Sequence, residues 1–241
     1  MSKQVRADGI LLLVTLCWGV SYLLMDISLT DLDPFTLNSF RFLGAFAIAA
    51  AVSWKRVKTV NRQTLKYSLI VGIALVVVYI GATFGVKYTS ISNSGFLCAL
   101  TVVFTPFFAW LLFKKKPDKK LMLVVLMCFI GIALLTLGDD FSINAAHLKG
   151  DLLCIMCAVA YAADLVMTEK AVSNEEVDAY QLGVFQLGVA GVIHLILAFV
   201  TEQPHLPQTP QVWGAVLFLA IFCTGVAFVL QPIAQQYTTA S

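Results

Sequence analysis

Gly9-Ile-Leu-Leu-Leu-Val-Thr-Leu-Cys-Trp-Gly-Val-Ser-Tyr-Leu-Leu-Met25 contains no charged side chain. A helix needs about 20 mostly apolar residues to cross a bilayer, and this run supplies the core of one, read as a span over 9–29. No A-x-A-like cleavage site follows it, so it reads as a retained transmembrane helix and not as a secretory leader.

Working outward, the same criterion gives about eight spans: 9–29, 35–54, 66–87, 91–113, 119–138, 150–170, 179–200 and 211–234. Turns such as Asp31-Leu-Asp-Pro34, Lys55-Arg-Val-Lys58, Lys114-Lys-Lys-Pro117 and Gly138-Asp-Asp140 separate them. The runs are continuous rather than alternating, which excludes a porin-like barrel. Composition agrees: 59% of the 241 residues are apolar and 12% charged, against about 25% charged in a soluble domain. Mean hydropathy is +0.86. A net charge of +2 leaves no basic surplus for nucleic acid. Cys154 and Cys157 form a C-x-x-C, but on one apolar run with no second pair. They read as small core residues, and no metal or cofactor is expected.

Charge orients the spans. Lys3 and Arg6, then Lys55, Arg56, Lys58, Arg62 and Lys66, then Lys114, Lys115, Lys116, Lys119 and Lys120 fall on one side. Lys and Arg gather in cytoplasmic loops, so the expected protein is a multi-pass plasma-membrane protein with a cytoplasmic N-terminus.

The halves repeat. Trp18-Gly-Val-Ser-Tyr22 aligns with Tyr161-Ala-Ala-Asp164. Asp33-Pro-Phe-Thr-Leu-Asn-Ser-Phe-Arg41 aligns with Asp178-Ala-Tyr-Gln-Leu-Gly-Val-Phe-Gln186, and Lys87-Tyr-Thr-Ser-Ile-Ser92 with Gln236-Tyr-Thr-Thr-Ala-Ser241. The matches keep their order, 143 to 149 positions apart. The unit holds five spans, and an odd number inserts the second copy from the opposite side, an inverted repeat as in secondary transporters.

These features resemble the EamA-type family of the drug/metabolite transporter superfamily: Trp18-Gly19, Arg41-Phe42, Tyr88-Thr-Ser-Ile-Ser92, Phe104-Thr-Pro106 with the basic loop after it, and Gly131. The resemblance implies ten spans in two five-span repeats, and a carrier that moves amino acids and other small metabolites, often outward. The expected fold is thus an all-α membrane bundle with inverted five-helix repeats. The first repeat covers 1–138 and the second 150–241. The second is incomplete, with counterparts of its fourth and fifth helices expected after Ser241. On that reading the eight-span form is less stable than a ten-span form and inactive alone, and Gln231 is left toward lipid.

Charged groups in the bilayer core are costly and usually face protein or a water-filled cavity. Asp164 is the deepest, and Cys157, Tyr161, Asp164 and Thr168 share a helix face by spacing. Tyr161 and Asp164 are candidates to meet a substrate's amino or cationic group, or Asp164 to carry a proton. The alternative is an Asp hydrogen-bonded to neighbouring helices. Thr15, Trp18 and Tyr22 form a second stripe, read as cavity lining or plain packing. Arg41 is a candidate for a carboxylate or for structural pairing, with Gln186 as its repeat counterpart. Tyr79 and Asn93 complete the proposed lining. Asn38, His194 and Gln231 read as helix glue, Asp26 as interfacial, Gly81-Ala-Thr-Phe-Gly85 as a close-packing motif, and Pro106 and Pro232 as kinks.

The expected activity is secondary, non-ATP-driven transport of a small molecule by alternating access; a homodimer stays open. A membrane enzyme is the rival, but H-E-x-x-H, G-x-S-x-G and Walker motifs are missing. A channel or structural protein is the other, and no filter-like segment or charge ring is present. Neither rival needs the inverted repeat.

Overall fold

A computed structural model describes residues 3–114, 119–136 and 147–238. The described residues form helices and contain no strand: α1 (Lys3–Ser28), α2 (Pro34–Val52), α3 (Trp54–Val57), α4 (Arg62–Tyr88), α5 (Ile91–Ala99), α6 (Thr101–Phe113), α7 (Lys119–Thr136), α8 (Leu148–Val172), α9 (Ala179–Thr201) and α10 (Pro210–Phe218), then a π-helical segment (Leu219–Val226) and α11 (Ala227–Gln235). Seven helical runs among the described residues are long and apolar enough to cross a membrane: α1, α2, α4, α5 with α6, α8, α9, and α10 through α11.

The expected fifth span corresponds to α7, and residues 137–138 of that expectation lie outside the described residues. Hydrogen bonding supplies a parity argument that α7 crosses too. Thr89 Oγ1 donates to Asp151 Oδ1 at 2.7 Å and Asn93 Nδ2 to the same oxygen at 3.5 Å. The run α5–α6 and helix α8 therefore start on one side of the membrane. A chain that leaves α6 on the far side has to return before α8, and α7 is the described helix that lies between them.

The described residues divide into two compact units, the first from 3–76 with 168–238 and the second from the described part of 77–167. The first is built on α2 and α9, which run antiparallel. At one end the Glu202 carboxylate, just past α9, accepts Phe35 N at 2.9 Å, Thr36 N at 2.8 Å and Thr36 Oγ1 at 2.8 Å. At the other end Arg56 pairs with Asp178, the N-cap of α9, at 2.7 Å. Small residues on α9 allow close approach. A Cβ at Gly191 would lie 2.9 Å from Leu43 N on α2, and one at Gly183 would lie 2.8 Å from Phe228 O on α11. α1 buries Ala7, Val14, Ser21, Met25 and Ser28 and exposes Leu12, Leu13, Leu16 and Leu23.

In the second unit α8 packs on the last part of α4. A Cβ at Gly81 would lie 2.6 Å from Leu153 O and 2.8 Å from Cys157 N, so the Gly81/Gly85 motif seats a helix of the same chain. The run α5–α6 is broken at Leu100, six residues before Pro106, and Thr101 Oγ1 caps the break by donating to Cys98 O at 2.7 Å. Pro106, expected as a kink, lies inside α6. The turns at 115–117 and 138–140 lie outside the described residues.

Candidate functional site

In the first unit the polar residues gather on the last described span. Arg41 is fully buried and its Nε donates to Thr224 Oγ1 at 2.9 Å. Thr224 sits in the π-helical segment, where i→i+5 bonding widens the helix, a feature frequent at functional sites. One turn on, Gln186 Nε2 donates to Phe228 O at 3.0 Å. That carbonyl lies four residues before Pro232, which has no N–H to offer it. The Gln186 amide makes the bond to this carbonyl that Pro232 cannot, and Gly183 allows α9 near enough to do so.

Aromatic rings enclose this polar group. The Trp18 and Phe228 ring centroids lie 5.2 Å apart, and the Arg41 guanidinium lies 5.7 Å from the Phe42 ring. The other face of this cluster holds His194, stacked on Phe42 at 5.6 Å with 9° between the planes. His194 is buried; Nδ1 lies 2.8 Å from Ala190 O, while Nε2 meets no hydrogen-bond partner among the described residues. His194, expected only as helix glue, thus belongs to this cluster. Its spacing of eight from Gln186 on α9 was the available signal for a shared face.

In the second unit Asp164 is 1% exposed. Its Oδ1 is buried and meets no hydrogen-bond partner among the described residues. Tyr161, one turn earlier, lies within electrostatic reach of Asp164, Tyr79 and Cys157. Three expected site residues, Tyr79, Tyr161 and Asp164, thus come together, and Cys157 on the same α8 face is buried; Thr168, the next member of that face, is buried too and falls in the first unit.

Other expectations fare differently. Asn93 lies at the start of α5 beside Asp151, at the end of a span. Thr15 is exposed, its hydroxyl turned back to Leu11 O at 2.8 Å, so the α1 stripe keeps Trp18 and Tyr22, both half-buried, but loses its first member. Asp26 is exposed, as an interfacial residue would be. Gln231, expected toward lipid, is 1% exposed, and its amide lies 3.4 Å from Gln235 Oε1. Among the described residues no group of three or more His, Cys, Asp or Glu side chains is placed to hold a metal.

The chemistry available is therefore a buried guanidinium and imidazole boxed by aromatic rings in one unit, and a buried carboxyl with phenols in the other. Buried ionisable groups on spanning helices are a mark of proteins that move solutes. A solved crystal structure shares the fold with a TM-score of 0.75 at 19% identity, over 96% of this chain and 79% of that one. An uncharacterized transporter of Archaeoglobus fulgidus is 30% identical over 99% of this chain and 72% of its own length. The Bacillus subtilis protein described as uncharacterized transporter YoaV is 21% identical over 90% and 75% respectively. The model of the EamA-like transporter family matches residues 5–137 and 148–241. The chain is a multi-pass helical membrane transporter. It belongs to the EamA-like transporter family.

Proposed function

We propose that the chain is a secondary transporter that moves a small metabolite bearing an amino group, outward across the cell membrane, by alternating access. The observation that carries this reading is Asp164: 1% exposed, with a carboxyl oxygen that no described group hydrogen-bonds. A charge held away from water needs a compensating partner. A substrate ammonium is one such partner and a transported proton is the other. Tyr79 and Tyr161 supply phenol oxygens and ring faces, which suit an ammonium.

In this reading Arg41 and Gln186 hold the span 210–235, and Trp18 with Tyr22 line the first unit. The antiparallel run of α2 and α9, which carry the Asp33–Arg41 and Asp178–Gln186 counterparts, supports the opposite insertion of the two repeats.

The test is flux in proteoliposomes, screened over amino acids, amines and neutral metabolites. Asp164→Asn removes the charge at constant shape, and it is expected to lower saturable flux at least about tenfold, since a lost charge-assisted contact is worth about 1.5–3 kcal/mol, while yield and melting stay unchanged. Flux that stays at the wild-type level in that variant removes Asp164 from transport. A proton role is separated by imposing a pH gradient: it predicts that the gradient drives wild-type flux and does not drive the variant.

A further inference from the structure

An open cavity of about 580 Å³ lies at one end of the first unit, lined by Asn61, Arg62, Gln63, Lys66 and Glu176. Its floor is built from specific hydrogen bonds. Asn61 Oδ1 accepts Thr64 N at 2.7 Å, and Asn61 Nδ2 donates to Glu176 O at 2.6 Å. Asp178 N donates to Thr64 Oγ1 at 3.2 Å. One asparagine thus clamps the 174–178 loop onto the first turn of α4 and fixes the cavity's two sides relative to each other.

Depth identifies the kind of ligand. α4 has 27 residues, a length of about 40 Å at 1.5 Å per residue. The hydrocarbon layer is about 30 Å thick, so the first turns of α4 extend into the headgroup layer. Immediately beside them Leu65, Leu69, Ile70 and Ile73 are 42%, 50%, 41% and 49% exposed, which makes a lipid-facing wall. A ligand here meets Arg62 and Lys66 with its polar part and aliphatic side chains with the rest. A wholly water-soluble anion would leave that wall unused.

The signs of the charges narrow it further. Arg62 and Lys66 suit a phosphate. Glu176 lies on the loop, away from the spanning part of α4, and suits a cation. A phospholipid phosphate lies next to the glycerol, and the headgroup amine lies further toward water. We propose that this cavity binds a phospholipid whose headgroup carries both a phosphate and a primary ammonium, of the phosphatidylethanolamine type. Phosphatidylglycerol offers Glu176 only neutral hydroxyls and no cation. Phosphatidylcholine has no N–H to donate.

The test is native mass spectrometry of the purified chain from micelles doped with equal amounts of phosphatidylethanolamine, phosphatidylcholine and phosphatidylglycerol. The wild type is expected to retain phosphatidylethanolamine over both others. The exposed pair Arg62→Gln with Lys66→Gln is expected to retain it at least about tenfold less, as for a lost charge-assisted phosphate contact. Glu176→Gln is expected to remove the preference over phosphatidylcholine. The pair Lys55→Gln with Lys58→Gln, on the same loop but outside the cavity, is expected to retain the wild-type pattern. Preferential retention of phosphatidylglycerol by the wild type overturns the proposal, as does an unchanged preference in Glu176→Gln. An equal loss in the Lys55/Lys58 pair reduces the effect to diffuse surface charge and also overturns it.

Discussion

Residue 232 is proline, so it offers the carbonyl of Phe228 no i+4 helical N–H. In lipid an unmade backbone hydrogen bond has no water to replace it, and here a side chain from another helix makes it, Gln186 Nε2 at 3.0 Å. The consequence is a coupling between two positions 46 apart in sequence. Gln186→Leu removes that hydrogen bond and is expected to cost about 1 kcal/mol in a detergent unfolding titration. Pro232→Ala restores an N–H to the helix and removes the carbonyl's need. In that background the cost of Gln186→Leu is expected to fall to half or less, a double-mutant interaction of at least about 0.5 kcal/mol. Strictly additive costs would mean that the amide contact is incidental. The same logic shows why the site was half legible. Buried polarity and helical phase pick out Asp164, Tyr161 and Arg41 as candidates, since those depend on one helix at a time. The partners Thr224 and His194 depend on how three helices pack, which no single-helix period reveals.

Helix ends show the same division. The antiparallel pair α2 and α9 is held at both ends by carboxylates, yet the two carboxylates work differently. Asp178 caps its own helix, accepting Gln181 N at 3.0 Å, and also pairs with Arg56. Asp33 makes no side-chain cap on α2, and Glu202 reaches across from the end of α9 to do it. The sequence pattern Asp-x-x aligned the two positions, but the long-range cap was invisible to it, as were the break at Leu100 and the π-helical segment. Asp178 allows a clean separation of its two roles. The Arg56–Asp178 pair is 53% and 31% exposed on its side chains, and such pairs are worth about 0–1 kcal/mol. An N-cap is worth about 1 kcal/mol. Asp178→Ser keeps the cap and is expected to cost a few tenths of a kcal/mol, largely screened by salt. Asp178→Ala loses both and is expected to cost about 1–2 kcal/mol. Equal losses in thermal melts of the two variants would show that the ion pair, not the cap, fixes the start of α9.

For the whole molecule the hydrogen bonds sort the loops of the first unit into two sets that agree with the charge pattern. One set joins the 53–64 loop to the 174–181 segment through Arg56–Asp178, Gln181 Nε2 to Arg56 O at 2.6 Å and Asn61 to Glu176 O. The other joins the 29–36 segment to the 202–209 loop through Glu202 and through Gln208 N to Asp31 Oδ2 at 2.7 Å. The first set carries Lys55, Arg56, Lys58 and Arg62, and the second carries no Lys or Arg. Basic loops resist translocation, so the first set is expected in the cytoplasm and the second outside. Lys55 and His205 are both exposed and stand on opposite sets. In intact cells an impermeant thiol reagent is expected to label His205→Cys readily and Lys55→Cys only after the membrane is opened. The native cysteines described are buried or half-buried, so the parent chain gives the background to subtract. Labelling of Lys55→Cys in intact cells with protection of His205→Cys would invert the topology.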